Sequence, residues 1–186
     1  MVDITFVTSN KDKVRETEQI LQMKLQVEDI DLDEIQGLDL EKVALHKLDQ
    51  AYKRVKKPVI IDDVSVVIHA WNNFPGPLIK WVLQASHGVP EMLLKMLAGE
   101  KHRAATATLA IGFHDGKTRK IFYGEIVGNI GYKIEGENGF GWDKVFIPKG
   151  YKKTLASMSV DEKNDISHRR RALDQLKDFL LKDKEV

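Results

Sequence analysis

The sequence predicts an α/β protein of mixed α+β character, with a substantial sheet and helices packed against it. Three observations indicate this class. Apolar runs typical of strands alternate with segments of helical periodicity over the first 60 residues, and a β-hairpin signal lies in the middle of the chain. The third is size, because 186 residues fit one domain over 1–186 that can bury a core without disulfides or a structural metal.

Strand and helix signals alternate in the first part of the chain. The predicted elements are a strand ending at Thr8, a helix over 11–21, a strand over 25–30, a helix over 39–55 and a buried strand over 58–63 with two acids at its C-terminal end. Asn10, or Ser9 before it, can cap the first helix and Asp39 the second, because a side-chain oxygen accepts hydrogen bonds from N–H groups of the first turn. We expect the first helix to face inward through Val14 and Leu21, with Thr17 between them.

Turns and a hairpin dominate the remainder of the chain. The predicted elements are a turn over 74–77, a helix over 90–97 begun by proline, hairpin strands over 106–113 and 118–123, a glycine loop over 135–143, a strand over 145–147 and a last helix capped by Ser167. Ser159 and Glu162 have the spacing of a capping box. Leu173, Leu176 and Leu180 share one face of the last helix, so we expect them to lie against the core.

The composition excludes several classes of protein. Hydrophobic residues make up 42% and charged residues 31%, which is typical of a folded globular chain. The sequence has no cysteine, which excludes a disulfide framework, a zinc finger and a thiol nucleophile. It also has no apolar run of membrane-spanning length and no signal-peptide pattern at its start, so we expect a cytoplasmic protein without a membrane partner.

Charge is balanced over the chain but uneven along it. The 29 Lys and Arg residues against 28 Asp and Glu give a net charge of +1, which argues against a nucleic-acid binder. Residues 28–41 are strongly acidic, whereas residues 11–15 and 169–171 are cationic. Solvated faces are the ordinary explanation of such runs, and the alternative is that the clusters meet in one site.

Two helix starts carry cations, which the helix dipole disfavours at that end. One follows the first strand and comprises Thr8, Ser9, Asn10, Lys11, Asp12 and Lys13. The other begins the last helix with Ser167, His168, Arg169, Arg170 and Arg171. A bound phosphate would make these cations favourable, because helix N-termini bind anions. Ordinary capped helices with solvated side chains are the alternative at both places, and a surface histidine is the alternative for His168.

Carboxylates indicate a possible metal site. Asp62 and Asp63 are adjacent in the predicted strand and point to opposite faces, so only one of them is a good candidate to hold Mg²⁺ or polarise a water. Glu34, in the acidic segment, could supply a second ligand. Strand-ending turn acids are the alternative.

A glycine-rich segment over 138–143 carries two aromatic residues. Its glycines permit close backbone approach, and Phe140 or Trp142 could stack on a flat ring while Asp143 accepts hydrogen bonds from ring N–H groups. A glycine turn with core aromatics is the alternative. With the candidate phosphate and metal sites, this segment completes the set of groups that a nucleoside triphosphate with Mg²⁺ requires.

Taken in order, these motifs resemble the Ham1-like inosine/xanthosine triphosphate pyrophosphatases over nearly the whole chain. The matching segments are 8–13, 34–37, Lys47, 62–63, 74–81, 139–143, 162–164 and 167–169. The resemblance implies an elongated mixed sheet flanked by helices, with two lobes around a central nucleotide cleft. It implies Mg²⁺-dependent hydrolysis of non-canonical purine nucleoside triphosphates (ITP, dITP, XTP) to the monophosphate and pyrophosphate, by a homodimer that binds neither nucleic acid nor membrane.

The resemblance also implies roles for particular residues. Glu34 and Asp63 would hold the metal, with Asp63 as general base. The implied substrate-binding residues are Thr8, Ser9, Asn10, Lys11, Asp12, Lys13, Lys47, Val64, Lys80, Phe140, Gly141, Trp142, Asp143, Lys163, His168 and Arg169. Two positions depart from the family pattern: Val64 stands where Ser or Thr is usual, and Lys144 stands where proline is common. The hydroxyl contact expected at position 64 is therefore missing.

Three other functions stay open from the residues themselves. One is a pyrophosphatase for another modified nucleotide, and a second is a nucleotide-binding protein with weak or no catalysis, which Val64 makes plausible. The third is a nucleic-acid-binding module, which the arginine triplet favours and the net charge disfavours.

Overall fold

The computed structural model describes residues 4–182, and within them a seven-stranded mixed sheet carries helices on both faces. The strands are β1 (Thr5–Val7), β2 (Gln26–Glu28), β3 (Val59–Ile68), β4 (Phe74–Gly76), β5 (Ala104–His114), β6 (Arg119–Ile130) and β7 (Phe146–Pro148). The helices are α1 (Lys11–Leu21), α2 (Leu40–Val55), α3 (Ile79–Gln84), α4 (Glu91–Met96), α5 (Val160–Ile166) and α6 (His168–Lys182). The predicted fold class is confirmed. None of these helices is both long enough and apolar enough to cross a bilayer.

The order of the strands leaves a gap beside β3. The sheet runs β2-β1-β3-β5-β6-β7, and β4 also pairs with β3. Because β5 pairs with β3 along its whole length, β1 and β4 must share the opposite edge of β3. Pairing with β1 ends at Ile60 and pairing with β4 starts at Val66. Among residues 4–182, no strand therefore pairs with this edge between those positions, and Asp63 and Val64 lie in the gap.

The sheet buries an apolar cluster on each face. Ile60 and Ile61 are neighbours on β3 and point to opposite faces. Ile60 belongs to the cluster formed with α6, and Ile61 to the cluster formed with α2. Helix α6 lies unusually close to β6 at Gly124, where an added Cβ would be 1.8 Å from the backbone oxygen of His168. Glycine at this position therefore lets the start of α6 approach the sheet.

Most predicted elements are present. Asp39 caps α2 by accepting a hydrogen bond from the N–H of Lys42 at 3.2 Å, and the hairpin of β5 and β6 turns at the predicted place. Ser159 and Glu162 form the predicted capping box at the start of α5. The Ser167 hydroxyl accepts from the N–H of Arg170 at 3.1 Å, so the predicted cap of α6 is also confirmed.

The prediction that the central strand ends at its two acids, at residue 63, is wrong. Strand β3 continues through both acids to Ile68. It can do so because Asp62, although only 2% exposed, is neutralised by Lys13 and Arg169. The predicted turn over 74–77 is also corrected, because residues 74–76 form β4 and pair with the extension of β3.

Smaller differences concern the helices and the edge strand. The predicted inward residues of α1 do face the core, since Thr17 is buried and Val14 and Leu21 pack against the core while partly buried, but Glu16 and Ile20 are buried as well. The strand predicted over 25–30 is limited to β2. Helix α3 has no counterpart in the prediction, because its six residues are too short for a helical period to emerge from the sequence.

Candidate active site

A cleft of about 760 Å³ opens beside the gap on the edge of β3. This is within the usual size range of small-molecule sites, roughly 300–1,000 Å³. Its charged lining residues are the cations Lys13, Lys47 and Lys80 and the acids Asp29, Asp31, Glu34 and Asp63. Phe140 and Trp142 add aromatic surface. The cleft therefore offers both signs of charge and an aromatic contact to one small ligand.

One part of the cleft holds two carboxylates around shared lysines. Lys47 Nζ lies 3.3 Å from Glu34 Oε1 and 3.5 Å from Asp63 Oδ2. Lys80 forms a second ion pair with Glu34. Burial alone would lower the pKa of Lys47, but the negative charges of Asp63, Asp62 and Glu34 outweigh burial and raise it. Burial also works to raise the pKa of Glu34, and the two lysines reverse this and lower it.

Glu34 and Asp63 are the residues of the cleft that would hold a magnesium ion. Because both carboxylates contact the same ammonium group, a cation already lies between them. In the described part of the chain no group of three or more His, Asp or Glu side chains converges on a metal position. Mg²⁺ is commonly bound by one or two carboxylates together with substrate phosphates and water, so two protein ligands suffice if a phosphate supplies the others.

The first turn of α1 forms the wall beside these acids. Asn10 caps the helix, and its Oδ1 accepts hydrogen bonds from the N–H groups of Asp12 at 2.9 Å and Lys13 at 3.2 Å. The Thr8 hydroxyl accepts from the N–H of Asn10 at 3.2 Å. Two of the N–H groups that an anion could use are therefore satisfied internally, and the positive charge of Lys13 remains as the main attraction for phosphate at this wall.

A continuous chain of six ionised side chains runs behind the cleft. In order, its members are Asp143, Lys163, Glu16, Arg169, Asp62 and Lys13. Positive and negative charges alternate along it, so the three cations and three acids sum to zero. Five of the six members are buried, and only Lys13 reaches the cleft with a side chain that is 15% exposed.

Distances along this ion chain are short enough for direct hydrogen bonds. Lys163 Nζ lies 2.6 Å from Asp143 Oδ2 and also pairs with Glu16. Arg169 Nε lies 3.1 Å from Glu16 Oε2, and its Nη1 pairs with Asp62. The first member, Asp143, accepts a hydrogen bond from the N–H of Phe140 at 3.0 Å. The ion chain thus connects the aromatic loop at one side of the cleft to Lys13 at the other.

The carboxylates of the ion chain differ in acidity because they have different numbers of cationic neighbours. Burial would raise the pKa of Glu16, but Arg169 and Lys163 together lower it. Asp143 has only Lys163, so burial dominates and raises its pKa. Asp62 is also buried, and the charges of Lys13 and Arg169 hold its pKa far below the usual range.

Both rings of the aromatic loop border the cleft, but Phe140 is more exposed than Trp142. Phe140 is half-buried and lines the cleft, with Lys163 Nζ 5.4 Å from its ring centroid. Trp142 is only 6% exposed and packs against Phe146 at 5.3 Å between ring centroids. Gly139 is required here, because its φ is +88° and a Cβ would lie 2.5 Å from Asp143 Oδ2. Phe140 is therefore the ring available for stacking.

His168 lies beneath this loop. Its ring is 5.2 Å from that of Trp142, and its side chain is buried. Burial lowers the pKa of His168 well below 6.5, and the neighbouring Arg169 and Lys163 lower it further. Within residues 4–182 no group hydrogen-bonds to its Nδ1. A buried ring nitrogen without a partner is uncommon.

The predicted site residues fall into three groups. Those that line the cleft are Thr8, Ser9, Asn10, Lys13, Glu34, Lys47, Asp63, Val64, Lys80, Phe140, Gly141 and Trp142. Those buried behind it are Asp143, Lys163, His168 and Arg169. Lys11 and Asp12 are on the outer side of α1 and do not line it. Ser65 is buried and also lies outside the lining, so it does not stand in for a hydroxyl at Val64.

The prediction missed Glu16. This residue joins the two halves of the ion chain, since it binds both Lys163 and Arg169. One signal was available: Glu16 shares the inward face of α1 with Thr17 and Ile20, and a charged residue at an inward position requires a buried partner. The sequence did not indicate which cations would meet it.

The sheet, the cleft and its mixed charges define an α/β protein with a site for a small phosphate-bearing ligand. Comparison with known proteins gives the family. The Ham1 family model matches residues 4–179, and the chain belongs to the Ham1 family.

Individual relatives match along nearly their whole length. The chain is 41% identical to the inosine triphosphate pyrophosphatase of Yarrowia lipolytica, over 96% of each chain. It is 38% identical to the dITP/XTP pyrophosphatase of Saccharolobus solfataricus, over 96% of this chain and 94% of that protein. Among solved structures, a HAM1 protein from Coxiella burnetii superposes with a TM-score of 0.84 at 27% identity, over 98% of this chain and 100% of that one.

Proposed function

We propose that this protein hydrolyses non-canonical purine nucleoside triphosphates, such as ITP, dITP and XTP, to the monophosphate and pyrophosphate with the help of Mg²⁺. The observation that carries the proposal is the cleft itself, in which the carboxylates of Glu34 and Asp63 that share a lysine, two further lysines and the ring of Phe140 line one cavity. The names of the relatives from Yarrowia lipolytica and Saccharolobus solfataricus support the same activity.

The phosphate end of the substrate binds among the lysines. Lys13 contributes a charge from the first turn of α1, and Lys47 and Lys80 contribute two more from the opposite wall. Lysine donates charge-assisted hydrogen bonds to phosphate oxygens, which are stronger than neutral ones. Glu34 and Asp63 would hold Mg²⁺, which neutralises phosphate charge and lowers the pKa of a bound water when it is present.

Asp63 removes the proton from the attacking water. Its Oδ1 accepts from the N–H of Val64 at 3.1 Å, which fixes the carboxylate and leaves Oδ2 toward Lys47. The water oxygen forms a bond to the α-phosphorus, and the proton of the water passes to Asp63 Oδ2. The bond from the α-phosphorus to the oxygen that bridges the α- and β-phosphates breaks. Pyrophosphate departs with the electron pair of that bond, and Lys13 stabilises charge on the phosphate oxygens.

Base recognition takes place at the aromatic loop. Phe140 stacks on the purine, and the buried polar groups Asp143 and His168, which contact the loop, read the edge of the base. Hypoxanthine and xanthine carry a 6-oxo group beside a ring N–H, whereas adenine has a 6-amino group and no such proton. A site that hydrogen-bonds the 6-oxo group and the ring N–H disfavours adenine, because its buried polar groups would be left unpaired when adenine binds.

We also propose that the protein acts as a homodimer. Val67, Thr106 and Val127 lie in register on the face of the sheet that α2 covers only in part. Val127 is 42% exposed. The exposed apolar surface of this face supports self-association. Sedimentation of the Val127→Asp variant beside the unmodified protein tests the proposed homodimer. A cytoplasmic location remains part of the proposal and is tested by fractionation.

A substrate panel tests the activity. ITP, XTP, dITP, GTP, ATP and dUTP are compared with and without Mg²⁺ while pyrophosphate is measured. The proposal predicts Mg²⁺-dependent pyrophosphate from ITP, XTP and dITP and far less from ATP. Preference for dUTP would favour a different nucleotide pyrophosphatase, and binding of ITP without pyrophosphate release would favour a nucleotide-binding protein, as the missing hydroxyl at Val64 allows.

A further inference from the structure

The segment that carries Glu34 has no regular secondary structure. Between the end of β2 at Glu28 and the start of α2 at Leu40, the backbone forms neither helix nor strand. No ladder of backbone hydrogen bonds therefore fixes the position of Glu34. A carboxylate that is to meet a metal ion at a defined place must be held by other contacts.

Gln50 on α2 holds this segment from one side. Its Nε2 donates to the backbone oxygen of Asp33 at 2.6 Å, and its Oε1 accepts from the backbone N–H of Asp33 at 3.0 Å. The side-chain amide thus satisfies both backbone groups of one residue, as a neighbouring strand would. Asp33 immediately precedes Glu34, so this contact fixes the backbone next to the carboxylate.

Gln36 and Trp81 hold the segment from the other side. Gln36 Nε2 donates to the backbone oxygen of Glu34 at 3.0 Å. The Oε1 of the same amide accepts from Trp81 Nε1 on α3. Gln36 therefore links the backbone of Glu34 to a neighbouring helix.

These amide contacts differ in kind from the lysine contacts to the same residue. Lys47 and Lys80 bind the carboxylate oxygens of Glu34, and a metal ion would have to replace them there. Gln36 and Gln50 bind only backbone groups of the segment, so their hydrogen bonds persist while the carboxylate exchanges an ammonium group for a metal ion.

We propose that Gln36, Trp81 and Gln50 are positioning residues that hold Glu34 ready to bind the divalent cation. The inference rests on the metal-dependent reaction proposed above and extends it to three residues that act through the position of Glu34; two of them, Gln36 and Trp81, also line the cleft. A side chain that is already placed loses less conformational entropy on binding, which increases affinity for the metal.

Direct titration of the folded protein with Mn²⁺ in the presence of inorganic phosphate, which supplies the oxygen ligands that two carboxylates alone lack, tests the role without using turnover. Binding is followed by the loss of the free-ion EPR signal relative to a protein-free blank with the same phosphate. Gln36→Met removes both of its hydrogen bonds, and Trp81→Phe removes only the donor. We expect each variant, and Gln50→Met, to raise the Mn²⁺ dissociation constant about two- to tenfold, the range that loss of a hydrogen bond gives. The double variant Gln36→Met/Trp81→Phe should bind no more weakly than Gln36→Met alone.

Gln175→Met is the matched control. Gln175 is another exposed glutamine whose Nε2 donates to a backbone oxygen, that of Tyr123, but it lies on α6 away from Glu34. The Mn²⁺ affinity of the Gln175→Met variant should equal that of the unmodified protein. If Gln36→Met and Gln50→Met fold and bind Mn²⁺ as tightly as this control, the positioning role is refuted. If the unmodified protein shows no saturable Mn²⁺ site, the metal role of Glu34 fails instead, and the two failures are thereby distinguished.

Discussion

Replacing Glu16 with glutamine should destabilise the fold strongly. Glu16 is 7% exposed and is the only acid between Lys163 and Arg169 in the ion chain. The substitution keeps the size of the side chain but leaves three cations with two acids in a buried region. Removing one partner of a buried ion pair costs about 3–5 kcal/mol, because the charge that remains is uncompensated.

Equilibrium unfolding in urea measures this cost at pH 7. Asp49→Asn is the control, because Asp49 forms a two-bond ion pair with Arg119 in which both side chains are exposed. Such exposed pairs contribute about 0–1 kcal/mol. We expect Glu16→Gln to lower the free energy of unfolding several-fold more than the control. Equal losses below about 1 kcal/mol in both variants would refute the buried ion chain.

Two further predictions concern His168 and Lys13. Because burial lowers the pKa of His168, the unfolded chain binds the extra proton before the folded protein does as the pH falls below about 6.5. The free energy of unfolding should therefore decrease below that pH, by at most about 1.4 kcal/mol per pH unit. His168→Gln should flatten the profile of unfolding free energy between pH 7 and pH 5, and an unchanged profile would exclude the neutral buried ring. Lys13→Ala should raise KM for ITP, lower kcat, or both, by about ten- to hundredfold in kcat/KM; steady-state kinetics unchanged in both parameters would mean that the first turn of α1 does not contact phosphate.

Local signals in the sequence predicted the elements that local chemistry determines. Asp39 caps α2 through a residue three positions away, and Ser159 and Glu162 cap α5 at the same spacing. The hairpin of β5 and β6 is set by a turn of a few residues. In each case the interacting groups lie within one turn of chain, so their spacing carries the information.

Errors arose where distant residues decide the structure. Asp62 interrupts an apolar run and therefore suggests the end of a strand, but its partners Lys13 and Arg169 lie 49 and 107 positions away. Their charges allow β3 to continue. The contact between Glu16 and Lys163 spans 147 positions. The spacing of residues along the chain does not predict such long-range ion pairs.

For the site, the residue types were predictable and their arrangement was not. The cleft does bring Glu34 and Asp63 to one lysine and places Phe140 in its lining. Lys163 and Arg169, which the resemblance assigns to the substrate, are paired with buried acids in this conformation. Their roles at the substrate remain predictions, because each cation would have to leave or share its present partner.

Pyrophosphate release by Asp63→Asn decides whether this cleft is the catalytic site. Asparagine retains the oxygen that accepts from the N–H of Val64, so the strand should keep its geometry. With Mg²⁺ and ITP, the unmodified protein should form IMP and pyrophosphate in equal amounts. The variant should lose about 10²–10⁴-fold in rate, as expected for removal of a general base, while it still folds and unfolds in one cooperative transition. Turnover at the unmodified rate in a folded Asp63→Asn protein would contradict the mechanism.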